Sequence, residues 1–174
     1  WKFEKYIGKA MYDLVTDGTL ELEHSYLLVA EGICATPFTS TRNPYYSYFY
    51  TEPISDKDGV IVTPTDVNAF HLTTSYTGAN DKKHTAPNGY FYIIDSYGQI
   101  IYVNDDTYNT FYKNDDEDPE YDGCFWKATA NADGTWTIAN FYNKTIQYSI
   151  KYASFGCYSA EQNNAALPRL YKLQ

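Results

Sequence analysis

The chain has 174 residues and a mass of 20.0 kDa, enough to close one hydrophobic core and too little for two full domains. Thirteen basic against 22 acidic side chains leave a formal charge of -9, so a polyanion would be approached through a repulsive field, which argues against nucleic acid as a partner. Twenty tyrosines, within an aromatic share of 18%, exceed what buried packing asks for and suit half-exposed β surfaces, where the ring packs and the hydroxyl reaches water or a partner.

The opening "WKFEKYIGKAMYDLV" (1–15) carries Phe3, Ile7, Ala10, Met11 and Leu14 at spacings of three and four, the stripe of a short amphipathic helix. Trp1, Phe3 and Tyr6 equally suit an irregular strand, and "TDG" (16–18) reads as a turn. We take 1–22 as an N-terminal extension or linker and 23–174 as the domain.

From Ser25 the texture changes to short runs of Tyr, Val, Ile, Phe and Thr between turn residues, an all-β pattern. "YLLVAE" (26–31) is followed by a Gly/Cys/Pro loop, "YYSYFY" (45–50), a tight turn at "DKDG" (56–59), "VIVT" (60–63) and "AFHLTT" (69–74). "GANDKKHTAPNG" (78–89) offers no core residue and reads as a surface loop. The pattern restarts with "YFYIIDS" (90–96), "QIIYVN" (99–104), "NTFYK" (109–113) and "CFWKATA" (124–130). It restarts again with "TWTIANF" (135–141), "KTIQYS" (144–149), "SFGCYS" (154–159) and "PRLYKL" (168–173).

The last two sets align. Gly89 matches Gly134, Ile93 Ile138, Asp95 Asn140, Gln99 Lys144 and Ile101 Ile146, all at an offset of 45. Phe111 matches Phe155 at 44, and Phe125-Trp-Lys matches Leu170-Tyr-Lys at 45 again. In the looser first set, Tyr26 to Val29 stands for Phe91 to Ile94 and Phe70-His-Leu for Phe125-Trp-Lys. Four short strands cannot cover their own apolar face, so three such units must share a core. Three units of four strands predict a β-trefoil with a short N-terminal extension, whose closed barrel removes open edges. A β-sandwich or a partly open barrel is the alternative. The repeat nominates Leu28, Ile61, Phe70, Leu72, Ile93, Ile101, Phe111, Phe125, Ile138, Ile146, Phe155 and Leu170 as core, with Trp126 and Trp136 as wedges at strand ends. Gly89 and Gly134 read as turn residues.

Short motifs for nucleotide, phosphate, zinc hydrolysis, serine hydrolysis and EF-hand calcium are absent from the sequence. His24, His71 and His84 stand at no ligand spacing, and Cys34, Cys124 and Cys157 form no paired zinc pattern. They read as buried or partly buried thiols rather than a disulfide. The acidic run "NDDEDPEYDG" (114–123) lacks a complete calcium pattern and reads, like "NDD" (104–106), as solvated loop. No pair of carboxylates can be singled out for sugar hydrolysis. No catalytic residue, metal or cofactor is expected, and no apolar run approaches the ~20 residues that span a bilayer.

What remains is aromatic surface. "NPYYSYFY" (43–50) puts Tyr45, Ser47 and Phe49 on one strand face and Tyr46, Tyr48 and Tyr50 on the other, and "YASFGCYS" (152–159) adds Tyr152 and Tyr158 beside a glycine. Tyr46, Tyr48, Tyr50, Tyr152 and Tyr158 are therefore the candidate ligand-binding residues, for stacking on sugar rings or anchoring a protein interface. The sequon "NKT" (143–145) marks a surface turn.

The phrases "YLLVAEG", "NAFHLTT", "GYFYIIDSYGQIIYVNDDTYNTF", "DGTWTIANFYNKTIQYSIKYASFGCYS" and "LPRLYKL" together resemble a domain near the carboxyl end of secreted proteins and surface lipoproteins of gut Bacteroidetes. The likeness covers 25–174 and carries no catalytic residue onto this chain. It implies export to the periplasm, the outer-membrane cell surface or the medium, with a processed lipoprotein signal and a lipid anchor outside this segment. The expectation is a noncatalytic binding or accessory module whose partner is a glycan or a cell-surface protein. Its rival is a hydrolase domain acting on an extracellular polymer without a recognisable motif.

Overall fold

Alternation of β-branched and aromatic residues with polar ones yields strands throughout the computed structural model, which describes residues 8–37, 46–78, 80–103, 109–114, 122–159 and 165–174. The first strand, β1 (Ala10–Leu14), leads into unit one: β2 (His24–Ala30), β3 (Ile33–Thr36), β4 (Tyr46–Ser47), β5 (Tyr50–Pro53), β6 (Val60–Thr63) and β7 (Phe70–Thr73). The hairpin β8 (Ser75–Thr77) and β9 (Lys83–Thr85) precedes unit two, β10 (Tyr92–Ile94), β11 (Ile100–Tyr102), β12 (Phe111–Asn114) and β13 (Trp126–Ala130). Unit three is β14 (Trp136–Asn140), β15 (Lys144–Ser149), β16 (Ser154–Ser159), β17 (Ala165–Ala166) and β18 (Arg169–Leu173).

The outer strands of the units close a six-stranded barrel. β2 pairs with β18 on one side and β7 on the other, and β7 pairs with β10. The ring continues through the Phe91–Trp126 bridge to β13 and through the β13–β14 ladder. Trp136 N–H donating to Pro168 O at 2.7 Å returns it to the start of β18. The partners of one place in the fold are therefore Leu28 with Leu170, Ile93 with Leu72 and Ile138 with Ala128, three pairs related by a threefold pseudo-rotation. This is the β-trefoil, not two facing sheets. The inner strands form the cap: Phe49 bridges Phe155, Phe111 pairs with Ser47, and Cys157 N–H donates to Asn109 O at 2.9 Å. Phe49, Phe111 and Phe155 are all buried beneath it, and the Phe49 and Phe111 rings stack at 4.0 Å.

The tight turns that leave the barrel repeat chemically. Asp95 Oδ1 accepts from Tyr97 N and Gln99 N, both at 3.0 Å, while Asn140 Oδ1 accepts from Tyr142 N at 3.0 Å and Lys144 N at 2.9 Å. A side-chain oxygen bonding backbone two and four residues on fixes the turn, which is why this offset of 45 is readable. Gly89 and Gly134 have φ of 83° and 81°, as turn residues should.

Several expectations are corrected. Ala10–Leu14 is a strand, not a helix: it joins the domain's sheet between β18 and β6, with Tyr12 opposite Leu173 and Ile61. Ala10, Tyr12 and Leu14 share one face of the strand with Met11 on the other, and long-range pairing decides for the strand over the helix. "VIVT" is a strand, but it pairs with β1 outside the barrel, so Ile61 is buried in an outer cluster with Tyr12, Leu27 and Cys34. The inner strand read as a loop is β3, opposite β2 and β5. The segment 78–89 contains β9, and its His84 and Ala86 are buried. In the closing strands the register is Phe70, Trp126 and Pro168, because Trp126 faces Phe91 as Phe70 faces Tyr26. Phe125 is therefore one residue out of phase with Phe70 and only partly buried, packing outside the barrel at 5.7 Å from Tyr92. The other predicted core positions are buried, and so are both tryptophans and all three thiols, which are unbridged. The acidic run's residues 115–121 and the turn 104–106 lie outside the described residues.

Candidate functional site

Because Phe49 points inward, its neighbours on a strand of period two point out: Tyr48 is 38% exposed and Tyr50 49%. Beside them lies the turn from β15 to β16, Ile150 to Ala153, which the Phe49–Phe155 bridge and a bond from Thr51 Oγ1 to Ala153 O at 3.3 Å tie to β5. Tyr152 is 65% exposed and Ile150 59%, and Lys151 Nζ sits 5.0 Å from the Tyr152 ring centre. Tyr152 N–H caps back onto Ser149 Oγ at 3.3 Å, and Ala153 takes φ of 50° to complete the turn.

Tyr158 is the floor of this surface rather than part of its exposed rim, since it is only 5% exposed. Its ring lies over Gly156, where a Cβ would stand 2.8 Å from two ring carbons. Burial pushes its phenol above the ordinary value, and the nearby Tyr48 pushes it further, while bonds to Ser149 and Ser154 work the other way and Tyr152 adds a smaller upward push. Four of the five tyrosines nominated from the sequence, Tyr48, Tyr50, Tyr152 and Tyr158, therefore share one region on the cap. The side chain of Tyr46 lies outside the described residues, although its backbone pairs with Tyr112 in β4. Ile150 and Lys151 belong to the same surface. The sequence signal for them was the four residues between two six-residue strands, which force the turn outward.

The Gly156 contact gives a test of the floor. Gly156→Ala should lower stability by about 1–3 kcal/mol through overpacking, because the ring must leave a place set by the strand. Tyr158 fluorescence or its ring NMR shifts should change with it. A variant with wild-type stability and unchanged ring shifts would show that the ring does not lie there.

A second polar group forms where sequence reasoning saw none. Ser25 and His71 face each other across β2 and β7, with Ser25 Oγ 3.2 Å from His71 Nδ1, and Glu23 Oε2 is 3.9 Å from His71 Nε2. Hydroxyl, imidazole and carboxylate in a row invite comparison with a hydrolytic triad, but the carboxylate is engaged elsewhere. Glu23 accepts from Thr73 Oγ1 at 2.7 Å, Thr74 N at 2.8 Å and Thr74 Oγ1 at 2.9 Å, bonds that hold its carboxyl below the usual range. At 3.9 Å it does not orient the ring as an activated nucleophile requires. Alongside, Glu21 Oε2 takes Lys172 Nζ at 2.7 Å and stands 3.4 Å from His24 Nε2. These pairs pin the chain before β2 to the barrel. Among the described residues, no group of three His, Cys, Asp or Glu side chains converges to hold a metal ion, and no helix is long and apolar enough to cross a membrane.

No family model and no curated sequence matches the chain. Its fold is similar to that of solved structures. One is the BEL β-trefoil in an apo crystal form, 11% identical, TM-score 0.59, covering 91% of this chain and 98% of that one. Another is the designed threefold-symmetric protein ThreeFoil, 16% identical, TM-score 0.51, with 86% and 96% covered. A third is the cytolethal distending toxin of Actinobacillus actinomycetemcomitans, 12% identical, TM-score 0.52, with 86% and 90% covered. At these identities the likeness speaks for architecture alone, and it agrees with the barrel and cap above: the chain is a β-trefoil.

Proposed function

We propose that this chain is a noncatalytic binding module of an exported protein and that it holds glycan chains on the cap through Tyr48, Tyr50 and Tyr152. The observation that carries the reading is the outward row Tyr48 and Tyr50, joined to exposed Tyr152 by the Thr51–Ala153 bond. Phenol rings fixed on a rigid strand offer flat apolar faces to sugar rings and hydroxyls to their oxygens, at little cost in side-chain entropy. The rival hydrolase reading lacks support in the Ser25–His71 pair, for the reason given above. A protein partner is the second reading, favoured by Ile150, whose exposed aliphatic side chain adds more to a protein interface than to a sugar face. Export rests on the resemblance of the sequence phrases to secreted and surface proteins.

The test is a glycan array with the isolated chain, spanning host mucin and plant polysaccharides, followed by titration of the best binder. Tyr48→Ala combined with Tyr50→Ala should leave the unfolding midpoint within error and weaken binding about tenfold or more, as loss of two anchoring aromatics does. Unchanged affinity removes this face from the proposal. An empty array together with a captured surface protein whose binding needs Ile150 moves the conclusion to the protein partner.

A further inference from the structure

A concave site lies apart from the tyrosine surface and shares no residue with it. Four segments distant in sequence meet there: the turn from β2 to β3, the chain after β5, the loop before β14 and the start of β18. They enclose a cleft of about 420 Å³, within the ~300–1,000 Å³ of small-molecule sites. Ile54, Leu167 and the Tyr171 ring give it an apolar side, and Asp56, Asp133 and Arg169 give it polar groups.

Those polar groups are fixed in advance. Arg169 Nη2 donates to Asp133 O at 2.8 Å, and the guanidinium lies so close over Gly134 that a Cβ there would be 2.5 Å from Nη1. Asp133 Oδ1 accepts from Thr135 N at 3.0 Å and Thr135 Oγ1 at 2.6 Å. Asp56 Oδ1 accepts from Gly59 N at 2.7 Å, and its Oδ2 accepts from the Tyr171 hydroxyl at 2.5 Å. Each carboxylate is thus oriented by a backbone amide and keeps lone pairs, and the guanidinium keeps N–H groups beyond the one spent on Asp133 O.

The chemistry of the guest follows from what these groups can do. Carboxylates only accept and a guanidinium only donates, whereas a hydroxyl does both. An anion would meet Asp56, Asp133 and the rim residue Glu31 against one Arg169, and an organic cation would share the cleft with that guanidinium. A neutral ring with adjacent hydroxyls satisfies both signs and has an apolar face for Ile54 and Leu167. We propose that this cleft is a saccharide site that takes one neutral pyranose unit through a vicinal diol, whose hydroxyls accept from Arg169 and donate to Asp133 and Asp56. The site stands independently of the cap, so the chain carries two separate places for sugar.

Amide NMR of the intact chain with methyl glucoside, galactoside, mannoside and fucoside tests it, each at about 10 mM, where a millimolar Kd is well filled. At least one glycoside should move, saturably, the resonances of 54–56, 133–135 and 167–171. The shifts should persist in the Tyr48→Ala, Tyr50→Ala double variant and weaken about tenfold or more in Arg169→Lys, which keeps charge and packing but loses the planar donors. Asp56→Asn, whose single oxygen can still accept from Gly59 N but whose amide NH2 donates where Oδ2 accepted, should weaken binding as well. The proposal is overturned if no glycoside moves these resonances, if Arg169→Lys binds as the parent does, or if cyclohexanol, acetate or methylammonium binds as well as the glycosides. If shifts vanish only in the double tyrosine variant, the sugar sits on the cap and the cleft is empty of function.

Discussion

Trp126→Ala is expected to cost about 3–5 kcal/mol, a large share of the ~5–15 kcal/mol that holds a domain of this size. The residue is fully buried and opens β13, where its backbone exchanges two bonds of 2.9 Å with Phe91 to close the barrel between the first and last strands of unit two. Its indole Nε1–H donates to Ile101 O at 3.0 Å, and its ring lies 6.2 Å from Phe111 beneath the cap. Truncation therefore removes apolar area, leaves a cavity between barrel and cap, and takes a donor from a buried carbonyl, and these losses share one sign. Trp126→Phe keeps most of the ring and loses the hydrogen bond, so it should cost about 1–2 kcal/mol. Urea unfolding measures both, with an unchanged m-value showing that the folded shape is kept. A loss under about 1 kcal/mol for the alanine variant would mean that this junction does not close the barrel.

The residue arithmetic explains what could be read in advance. Ile93 and Ile138, Asp95 and Asn140, and Ile101 and Ile146 stay 45 apart because the same side-chain-capped turn links the same two strands in units two and three. Beyond Phe111 and Phe155 the connections differ in length, so the closing strands must be placed by pairing. "FWK" and "LYK" look alike, yet the barrel matches Trp126 with Pro168, an offset of 42 rather than 45. Unit one hid its inner strand in Ile33–Thr36, where alanine and cysteine carry little β signal, and displayed β-branched residues in Val60–Thr63, which the N-terminal strand uses. On the cap, period two predicted the outward faces of Tyr48 and Tyr50. Tyr158 escaped the same logic because Gly156 leaves space for its ring to fold down onto the strand. The cleft at Arg169 was illegible, since its walls come from segments that only the closed barrel brings together.

The same burial predicts how the fold fails in alkali. Burial pushes the Cys34 thiol from 9.0 up to about 12, with Glu52 nearby adding to the rise. It pushes the Tyr12 phenol from 10.0 up to about 12, and it raises Tyr171, to which Asp56 adds, and Cys157 as well. In each case the folded state keeps a proton that the unfolded chain gives up first, so above about pH 9 the unfolded state binds fewer protons and stability falls as pH rises. The contribution is whole below the unfolded values of 9.0 for thiols and 10.0 for phenols, and it drains away toward about 12. Each group contributes at most ~1.4 kcal/mol per pH unit inside its own window, so several acting together should remove several kcal/mol by about pH 11. Urea midpoints should therefore be level from neutral pH to about 9 and then drop steeply. Cys34→Ala should flatten the first part of that drop, because its window opens a unit below that of the phenols. Midpoints that hold level to pH 12, or a slope untouched by Cys34→Ala, would contradict burial of a protonated thiol there. A thiol held protonated in the interior is also a poor nucleophile, so Cys34 and Cys157 should react with a thiol reagent only as fast as the chain opens.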